Sequence, residues 1–230
     1  MTSVAATAGA RAPVRLGLRE NLAQFTQKTI EDWYLTLART QEQRTAAYFA
    51  EKHMRPNYIP VLTWELYPRA KEIFLVRDFR DMARSIMDFD ARRGFAGFGR
   101  PEGVTDEEYL RGDLRDMAEK LTRSWQSRRD RAHLVRYEEL VARPAEIVTG
   151  VLEYLGVDAS PPTVKHVLAH GSEKVLNLPG MSYEPTEIDA HRTVSDPRAT
   201  VGRWKGEANG TIASLADEVF GEPLAEFGYT

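Results

Sequence analysis

The stretch that decides the fold is residues 71–94, KEIFLVRDFRDMARSIMDFDARRG. It opens with the apolar run Ile73–Val76, which is long enough for a buried strand and too short for a helix. The apolar and small residues that follow recur at spacings of three and four, on one helical face: Met82, Ser85, Ile86 and Phe89. The stretch therefore predicts a strand, a tight turn and a helix.

Arg77 stands at the predicted carboxyl end of this strand, where open α/β sheets bind their ligands. Its guanidinium offers a planar fork of donors, and Ser85, about two helical turns further on, offers a hydroxyl. The two residues are therefore a candidate phosphate site. The alternative is that Arg77 pairs with Asp78 or Asp81 and that Ser85 has no role beyond the helix surface.

Short strands alternate with helices along the rest of the chain. Further strands are predicted at 48–53 and 133–137. Helices are predicted at 16–40, 58–67, 105–130, 144–155, 161–170 and 212–220. Six residues of the first helix are expected mostly on one inward face: Leu18, Leu22, Phe25, Ile30, Trp33 and Leu37. This alternation predicts an α/β fold, a parallel sheet with helices on both faces.

Composition limits the classes of function. The net charge is −3 and no basic block stands out, which argues against nucleic-acid or membrane-surface partners. Cysteine is absent, which excludes thiol catalysis and cysteine metal sites. No apolar run approaches a membrane span or the core of a signal peptide, so a cytoplasmic protein is expected. Residues 1–14 are predicted to be disordered, and residues 15–230 to form one domain.

Two segments and one histidine pair leave their roles open. The glycine-rich stretch 94–112 is either a flexible surface loop or a lid over an acceptor pocket, and the polar stretch 171–199 is a candidate second lid. His166 and His170 are four residues apart, but no acidic third ligand accompanies them. No metal site is predicted.

Four motifs, taken in order, resemble the sulfotransferases that use 3'-phosphoadenosine 5'-phosphosulfate (PAPS). LVRDFRDMARSIMDF is similar to their 3'-phosphate-binding segment, with Phe79 where proline is usual. YFAEK at 48–52 is similar to their Phe-x-Glu-Lys strand, and RYEEL at 136–140 to their Tyr-Glu-Asp/Glu-Leu segment. VGRWK at 201–205 looks like their Gly-x-Trp-Lys/Arg element. The resemblance covers about residues 45–229 and implies a P-loop NTPase-like sulfotransferase fold.

The resemblance also implies roles for particular residues. Arg77, Ser85 and Arg198 fall where the family holds the 3'-phosphate, and Tyr137 where a tyrosine lies near the nucleotide. Glu51 stands where many members have a general base, and His53 is the second candidate for that role. The co-substrate would be PAPS, without a metal. The acceptor would be a small molecule or a carrier-bound group with a hydroxyl or an amine; oligomerisation is left open.

One family element has no counterpart in this sequence. The 5'-phosphosulfate loop, a strand followed by Lys/Arg-Ser-Gly-Thr-Thr and a helix, should lie well before Glu51, and 50 residues precede Glu51 here. The expected fold therefore lacks its first strand–loop–helix, either because the chain is a truncated form or because another segment fills the gap. That strand would have lain between the strands at 73–76 and 134–136.

Three functions remain after these observations. The first is a weakly active sulfotransferase that moves a sulfuryl group from PAPS to a hydroxyl or an amine. The second is a non-catalytic nucleotide-binding or interaction module derived from such an enzyme. The third, a nucleotide kinase-like enzyme, is disfavoured because the chain has no Walker lysine.

Overall fold

The computed structural model of the chain describes residues 2–7, 18–40, 47–53, 59–94, 97, 100–170, 196–206 and 210–229. The strands are β1 Thr2–Thr7, β2 Tyr48–His53, β3 Lys71–Val76 and β4 Ala132–Arg136. The helices are α1 Leu18–Thr40, α2 Ile59–Leu66, α3 Phe79–Arg93, α4 Asp106–Tyr109, α5 Arg115–Gln126, α6 Tyr137–Ala142, α7 Pro144–Leu155, α8 Pro161–His170 and α9 Gly210–Glu226. A π-helical turn, Leu110–Leu114, joins α4 to α5, and two 3₁₀ turns cover Pro197–Thr200 and Arg203–Lys205.

The four strands form one sheet in the order β2-β1-β3-β4. β3 and β4 are parallel, with Val76 opposite Arg136. β1 is antiparallel to both β2 and β3, so the three strands predicted from the sequence all run in one direction. The α/β prediction is therefore confirmed, with one added strand of opposite direction.

β1 corrects two expectations. Thr2–Thr7 was expected to be disordered, but it is a strand that pairs along both edges, with β2 and with β3. Pairing on both edges satisfies the backbone groups of a short, alanine-rich segment whose side chains give little sequence signal. The expectation that β3 and β4 are separated by the position of a further strand is also wrong, because these strands pair directly. Residues 8–14 of the predicted segment lie outside the described residues.

The main core lies on the face of the sheet covered by α3, α5 and α9. Phe74 and Val76 point into it from β3 and are almost fully buried. Four aromatic rings meet there, with centroids 5.3 Å apart for Phe74 and Trp125, 6.1 Å for Phe74 and Phe227, and 5.9 Å for Phe79 and Phe227. Burying such rings is the largest stabilising contribution that individual side chains make to a domain of this size.

Helix α7 covers the other face of the sheet. Tyr154 of α7 stacks on His133 of β4, with ring centroids 5.0 Å apart, and its hydroxyl accepts a hydrogen bond from the Glu72 amide at 3.1 Å. The same hydroxyl donates to the Arg131 carbonyl at 2.6 Å. Helices on both faces, as the sequence predicts, are therefore present.

Helix α1 turns its apolar residues differently from the sequence expectation. Leu22, Phe25 and Trp33 are 63%, 70% and 62% exposed, whereas Ile30 and Leu37 are partly buried. The inward face is instead carried by Tyr34, whose ring stacks on Phe49 of β2 at 4.2 Å. Polar partners on the sheet side orient the helix, and apolar spacing alone did not reveal this. Leu18 is described only at the backbone level.

Helices α4 and α5 follow the predicted span closely. Thr105 caps α4 in a reciprocal capping box with Glu108, which satisfies free amides at the start of the helix. Leu114 is buried in the core, and Trp125 packs against it. None of the helices in the described part of the chain has the length and apolar character that a membrane span requires.

Candidate functional site

The carboxyl ends of β3 and β4 bring two predicted site residues together. Because Val76 and Arg136 are opposite each other in register, Arg77 and Tyr137 emerge side by side at the same edge of the sheet. The guanidinium carbon of Arg77 lies 4.9 Å from the centroid of the Tyr137 ring. This stacking orients the guanidinium and limits its motion.

The 3₁₀ turn at 197–200 closes onto the same edge. Arg77 Nη2 donates to the Thr200 carbonyl at 2.8 Å, and the hydroxyls of Tyr137 and Thr200 are 3.2 Å apart. Arg198 lies in this turn, where its amide donates to Asp196 Oδ1 at 2.9 Å and its side chain is exposed. Arg77, Tyr137 and the segment that carries Arg198 thus form one polar surface, here called the β3–β4 edge.

Arg77 keeps an unused donor at the β3–β4 edge. Its Nε is buried and has no hydrogen-bond partner within the described residues. The alternative expected from the sequence, pairing of Arg77 with Asp78 or Asp81, is not what the structure has, because both carboxylates are engaged elsewhere. A buried guanidinium nitrogen without an acceptor is costly, so this position favours an anionic ligand.

Asp78 is occupied with capping α3. It accepts the Arg80 amide at 2.9 Å and pairs with the Arg80 guanidinium at 2.7 Å, and both side chains are buried. Arg80 in turn stacks on Trp204, with 4.1 Å between its guanidinium carbon and the ring centroid. The Arg-Asp-Phe-Arg-Asp run therefore stabilises the turn that presents Arg77.

Asp81 fixes the Gly-Arg-Trp segment to α3. Its Oδ2 accepts the Gly202 amide at 2.6 Å and its Oδ1 accepts the Trp204 amide at 3.1 Å. Gly202 has a φ of 73°, a left-handed conformation that glycine adopts without strain. Sequence reasoning missed this role of Asp81, because nothing in the sequence links an aspartate in the first turn of a helix to a distant glycine.

Ser85 lies on α3, two turns from its start, and is partly exposed. In the part of the chain that the structure describes, no hydrogen bond of its hydroxyl is found. The neighbouring helical residue Asp88 pairs with both Arg84 and Arg203, so the 3₁₀ turn at 203–205 packs beside it. Ser85 therefore lies on the helix that follows the Arg77 turn, and no described contact links the two residues.

The two candidate bases lie apart from Arg77. His53 pairs with Thr2, which pairs with Phe74, so His53 is level with a residue three positions before Arg77. Strand geometry then puts the two backbones about 10 Å apart along the strands and about 10 Å apart across β1. Glu51 is level with Glu72, roughly 7 Å further from the edge. The backbones of both candidate bases therefore lie more than about 10 Å from the backbone of Arg77.

Glu51 is held in a cluster with two tyrosines. Its carboxylate accepts the Tyr34 hydroxyl from α1. Burial and the neighbouring Glu51 raise the pKa of Tyr34 well above its usual range, and burial together with Glu31 and Glu51 raises the pKa of Tyr67 to about 12. Both phenols therefore remain protonated at neutral pH, so that Tyr34 serves as a donor to the carboxylate.

The direction of β1 bears on the expectation that the phosphosulfate loop has no counterpart in this sequence. β1 ends at Thr7, which pairs with Tyr48, the first residue of β2. Its carboxyl end therefore lies at the sheet edge opposite Arg77. In the family arrangement the loop follows a strand that ends at the ligand edge, where backbone amides and a helix amino terminus meet the anion. Among the described residues, no strand–loop–helix of that kind reaches the β3–β4 edge.

A cavity of about 650 Å³ lies at the far end of α3, between Asp90, Gly94 and residues 100–104. α3 has 15 residues, so this cavity is about 20 Å from the turn that carries Arg77. Of the predicted glycine-rich loop, residues 95, 96, 98 and 99 lie outside the described residues, as does most of the second candidate lid. The cavity is therefore separate from the β3–β4 edge.

No group of three or more metal-ligating side chains occurs in the described ranges. His166 and His170 have ring centroids 4.1 Å apart, and His170 Nδ1 is 2.8 Å from the His166 carbonyl. One ring nitrogen of His170 is thus engaged by its own helix backbone.

The chain matches the sequence model of the sulfotransferase family over residues 4–161, which is more than half its length. The chain therefore belongs to the sulfotransferase family, whose general activity is sulfuryl transfer. Searches of curated proteins and of solved structures found no significant match. The matched range includes Glu51, Arg77 and Tyr137, whereas Arg198 lies beyond it.

Proposed function

We propose that this chain is a sulfotransferase that binds PAPS, and its product 3'-phosphoadenosine 5'-phosphate, at the β3–β4 edge. The observation that carries the proposal is the buried, unpartnered Nε of Arg77 at the ligand end of β3. A phosphate oxygen would give this nitrogen the acceptor that it lacks. Membership of the sulfotransferase family adds the expectation that the phosphate belongs to a 3'-phosphorylated adenosine nucleotide.

The other predicted ligands fit the same end of the nucleotide. Arg198 is exposed two residues from Thr200, which contacts Arg77, so its side chain is free to turn towards a shared phosphate. Ser85 would supply a hydroxyl from the face of α3. Tyr137 would lie by the nucleotide, with its ring already held against the Arg77 guanidinium.

The proposed reaction moves a sulfuryl group to a small-molecule or carrier-bound acceptor. The acceptor oxygen or nitrogen forms a bond to sulfur, and the bond between sulfur and the 5'-phosphate oxygen breaks. The nucleotide leaves as 3'-phosphoadenosine 5'-phosphate, and a general base takes the acceptor proton. Between the two candidate bases the register favours His53, because it lies two residues closer to the ligand edge and Glu51 already accepts Tyr34.

A second candidate function is a nucleotide-binding module with negligible turnover. It is favoured by one observation, the antiparallel direction of β1, which carries the end of that strand away from the ligand edge. Donors aimed at the reacting end act on charge that develops during transfer, and losing one such donor costs about a hundred- to a thousandfold in rate. We therefore expect transfer by this chain to be slow even where the nucleotide binds.

Calorimetry with 3'-phosphoadenosine 5'-phosphate tests the binding proposal. Loss of a charge-assisted hydrogen bond of about 1.5–3 kcal/mol predicts that Arg77→Ala weakens binding by about ten- to a hundredfold. The matched control is Arg100→Ala, because Arg100 also stacks on a tyrosine, Tyr109, and donates to a backbone carbonyl. Equal affinity of wild type and Arg77→Ala would remove Arg77 from the site.

A transfer assay with labelled PAPS separates the two candidate functions. Hydroxyl and amine acceptors are offered to the wild type, His53→Asn and Glu51→Gln. Measurable transfer that His53→Asn reduces most supports the enzyme. Tight nucleotide binding without transfer to any acceptor favours the binding module.

A further inference from the structure

The segment after α9 is fixed to the end of β4. Arg136, the last residue of β4, donates through Nε to the Phe227 carbonyl at 2.6 Å. Gly228 has a φ of 72°, and the Tyr229 amide donates to the Leu224 carbonyl at 2.8 Å, which closes the end of α9. A Cβ on Gly228 would come within 3.0 Å of Arg136 Nη2, so a larger residue would push against this contact.

Phe227 anchors the segment in the core. Its ring is fully buried between Phe74, Phe79 and Trp125, with centroids 6.1, 5.9 and 6.3 Å away. The residues on either side of it are therefore held in register with the ends of β3 and β4. Tyr229, two residues later, reaches the β3–β4 edge from a fixed starting point.

The hydroxyl of Tyr229 connects this segment to the Arg77 turn through Glu138. It donates to Glu138 Oε2 at 2.7 Å, and Glu138 Oε1 accepts the amide of Asp78 at 3.0 Å. That amide belongs to the peptide unit joining Arg77 to Asp78, so the hydrogen bond fixes the plane of that unit and with it the ψ angle of Arg77. The direction in which the Arg77 side chain leaves the backbone then depends on where Glu138 is held.

We propose that Glu138 and Tyr229 are positioning residues that pre-orient Arg77 for the anion, acting through the Arg77–Asp78 peptide. This inference rests on the proposed nucleotide site. Glu138 with both oxygens engaged has one orientation, whereas without the phenol its carboxylate can rotate away from Asp78. A guanidinium that must be reoriented on binding loses affinity, because the ordering cost then falls on the binding step.

The protonation states suit this role. Burial, together with the Glu138 carboxylate, raises the pKa of Tyr229 far above its usual range. The phenol therefore stays a donor at neutral pH. Arg136 and Asp78 also face this group, and Arg136 opposes the rise in pKa while Asp78 adds to it.

The chain offers a matched control in Tyr154. Its hydroxyl also bridges two groups, accepting from the Glu72 amide and donating to the Arg131 carbonyl, but at the opposite end of β3. Tyr154→Phe and Tyr229→Phe each delete one bridging hydroxyl and keep the ring. Only the second deletion is connected to Arg77.

The test compares the two variants by thermal unfolding and by titration with 3'-phosphoadenosine 5'-phosphate. Both should lower the melting temperature by similar amounts. Tyr229→Phe should weaken nucleotide binding by about three- to tenfold, and Tyr154→Phe should leave it unchanged. Glu138→Ala removes both hydrogen bonds, so it should have an effect at least as large as Tyr229→Phe, and adding Tyr229→Phe to it should change little.

A measurement without nucleotide separates failure of this inference from failure of the proposed function. Amide exchange at Asp78 in the ligand-free protein should be faster in Tyr229→Phe than in wild type and unchanged in Tyr154→Phe. Equal Asp78 exchange in all three proteins would overturn the inference, whether or not the wild type binds nucleotide. Absence of binding by wild type with the expected exchange pattern would instead count against the proposed nucleotide site alone.

Discussion

Large apolar side chains are buried much more completely in one part of the molecule than in another. The first, here called the sealed part, is built on β3, β4, α3, α5 and α9. The second, here called the open part, is built on β2 and α1. In the first part Phe74, Phe79 and Phe227 are buried almost without exposure. In the second part Phe25 and Trp33 are more than half exposed. Arg77 projects from the sealed part, where its neighbours have little freedom. Glu51 and His53 belong to the open part, so the predicted anion ligand and the predicted bases lie on parts that differ in how deeply their aromatic residues are buried.

The largest expected effect comes from truncating one phenylalanine in each part. Phe227→Ala should lower the free energy of unfolding by about 3–5 kcal/mol, because it leaves a cavity among packed rings. Phe25→Ala should change it by no more than about 0.5 kcal/mol, because the ring is exposed. Urea unfolding of the two variants checks both values. Comparable losses would mean that α1 is covered by a partner in solution.

The sealed part was largely predictable from local sequence. The apolar run Ile73–Val76 and the helical spacing after it defined β3 and α3, and parallel strands necessarily place Arg77 and Tyr137 at a common edge. The open part was not. Thr2–Thr7 forms a strand through backbone pairing with two distant strands, a non-local interaction that leaves no periodic side-chain pattern.

The candidate site divides in the same way. The family motif located Arg77, Ser85, Tyr137 and Arg198 by number, but not the contacts that hold them. The insertion of β1 between β2 and β3 sets the distance from the candidate bases to Arg77, and no local motif encodes that insertion. The link from Asp81 to Gly202 joins residues 121 positions apart and was equally invisible in the sequence.

A second comparison concerns two helical aspartates. Asp81 is buried and accepts two backbone amides, so Asp81→Ala should cost about 1–3 kcal/mol and speed amide exchange at Gly202 and Trp204. Asp32 forms an exposed pair with Lys28 on α1, so Asp32→Ala should cost about 0.3–0.5 kcal/mol. Unchanged exchange at Gly202 in Asp81→Ala would show that this segment is held by other contacts.

Alkaline unfolding tests two tyrosines, one in each part. Burial, with Asp90 and Asp113 nearby, raises the pKa of Tyr109 to about 12, and the pKa of Tyr67 is also raised to about 12. An unfolded tyrosine loses its proton near pH 10, so the folded state binds more protons above that pH. Stability should therefore be fully present below pH 10 and be lost between pH 10 and pH 12.

Replacing each tyrosine with phenylalanine shows how much of this loss of stability each one causes. Tyr109→Phe and Tyr67→Phe should each flatten the pH dependence, and by similar amounts, because both pKa values are raised to about 12. Urea unfolding at pH 9, 10 and 11 in each variant gives the comparison. An equal slope in wild type and Tyr109→Phe would mean that this phenol does not remain protonated in the folded state over that range.

The smallest expected effect is the change in stability when a helical threonine is replaced with alanine, and its sign should differ between the two parts. Thr29 of α1 is exposed and Thr122 of α5 is buried, and each hydroxyl donates to the carbonyl four residues earlier, at 2.9 Å. Thr29→Ala should stabilise the protein by a few tenths of a kcal/mol, because alanine has the higher helix propensity and the exposed carbonyl can bond to water. Thr122→Ala should instead destabilise it by about 1 kcal/mol, because the lost methyl and hydroxyl leave a small void beside Ala118. Stabilisation by both substitutions would mean that α5 is no better packed at this position than α1, and the contrast between the two parts would then rest on their aromatic residues alone.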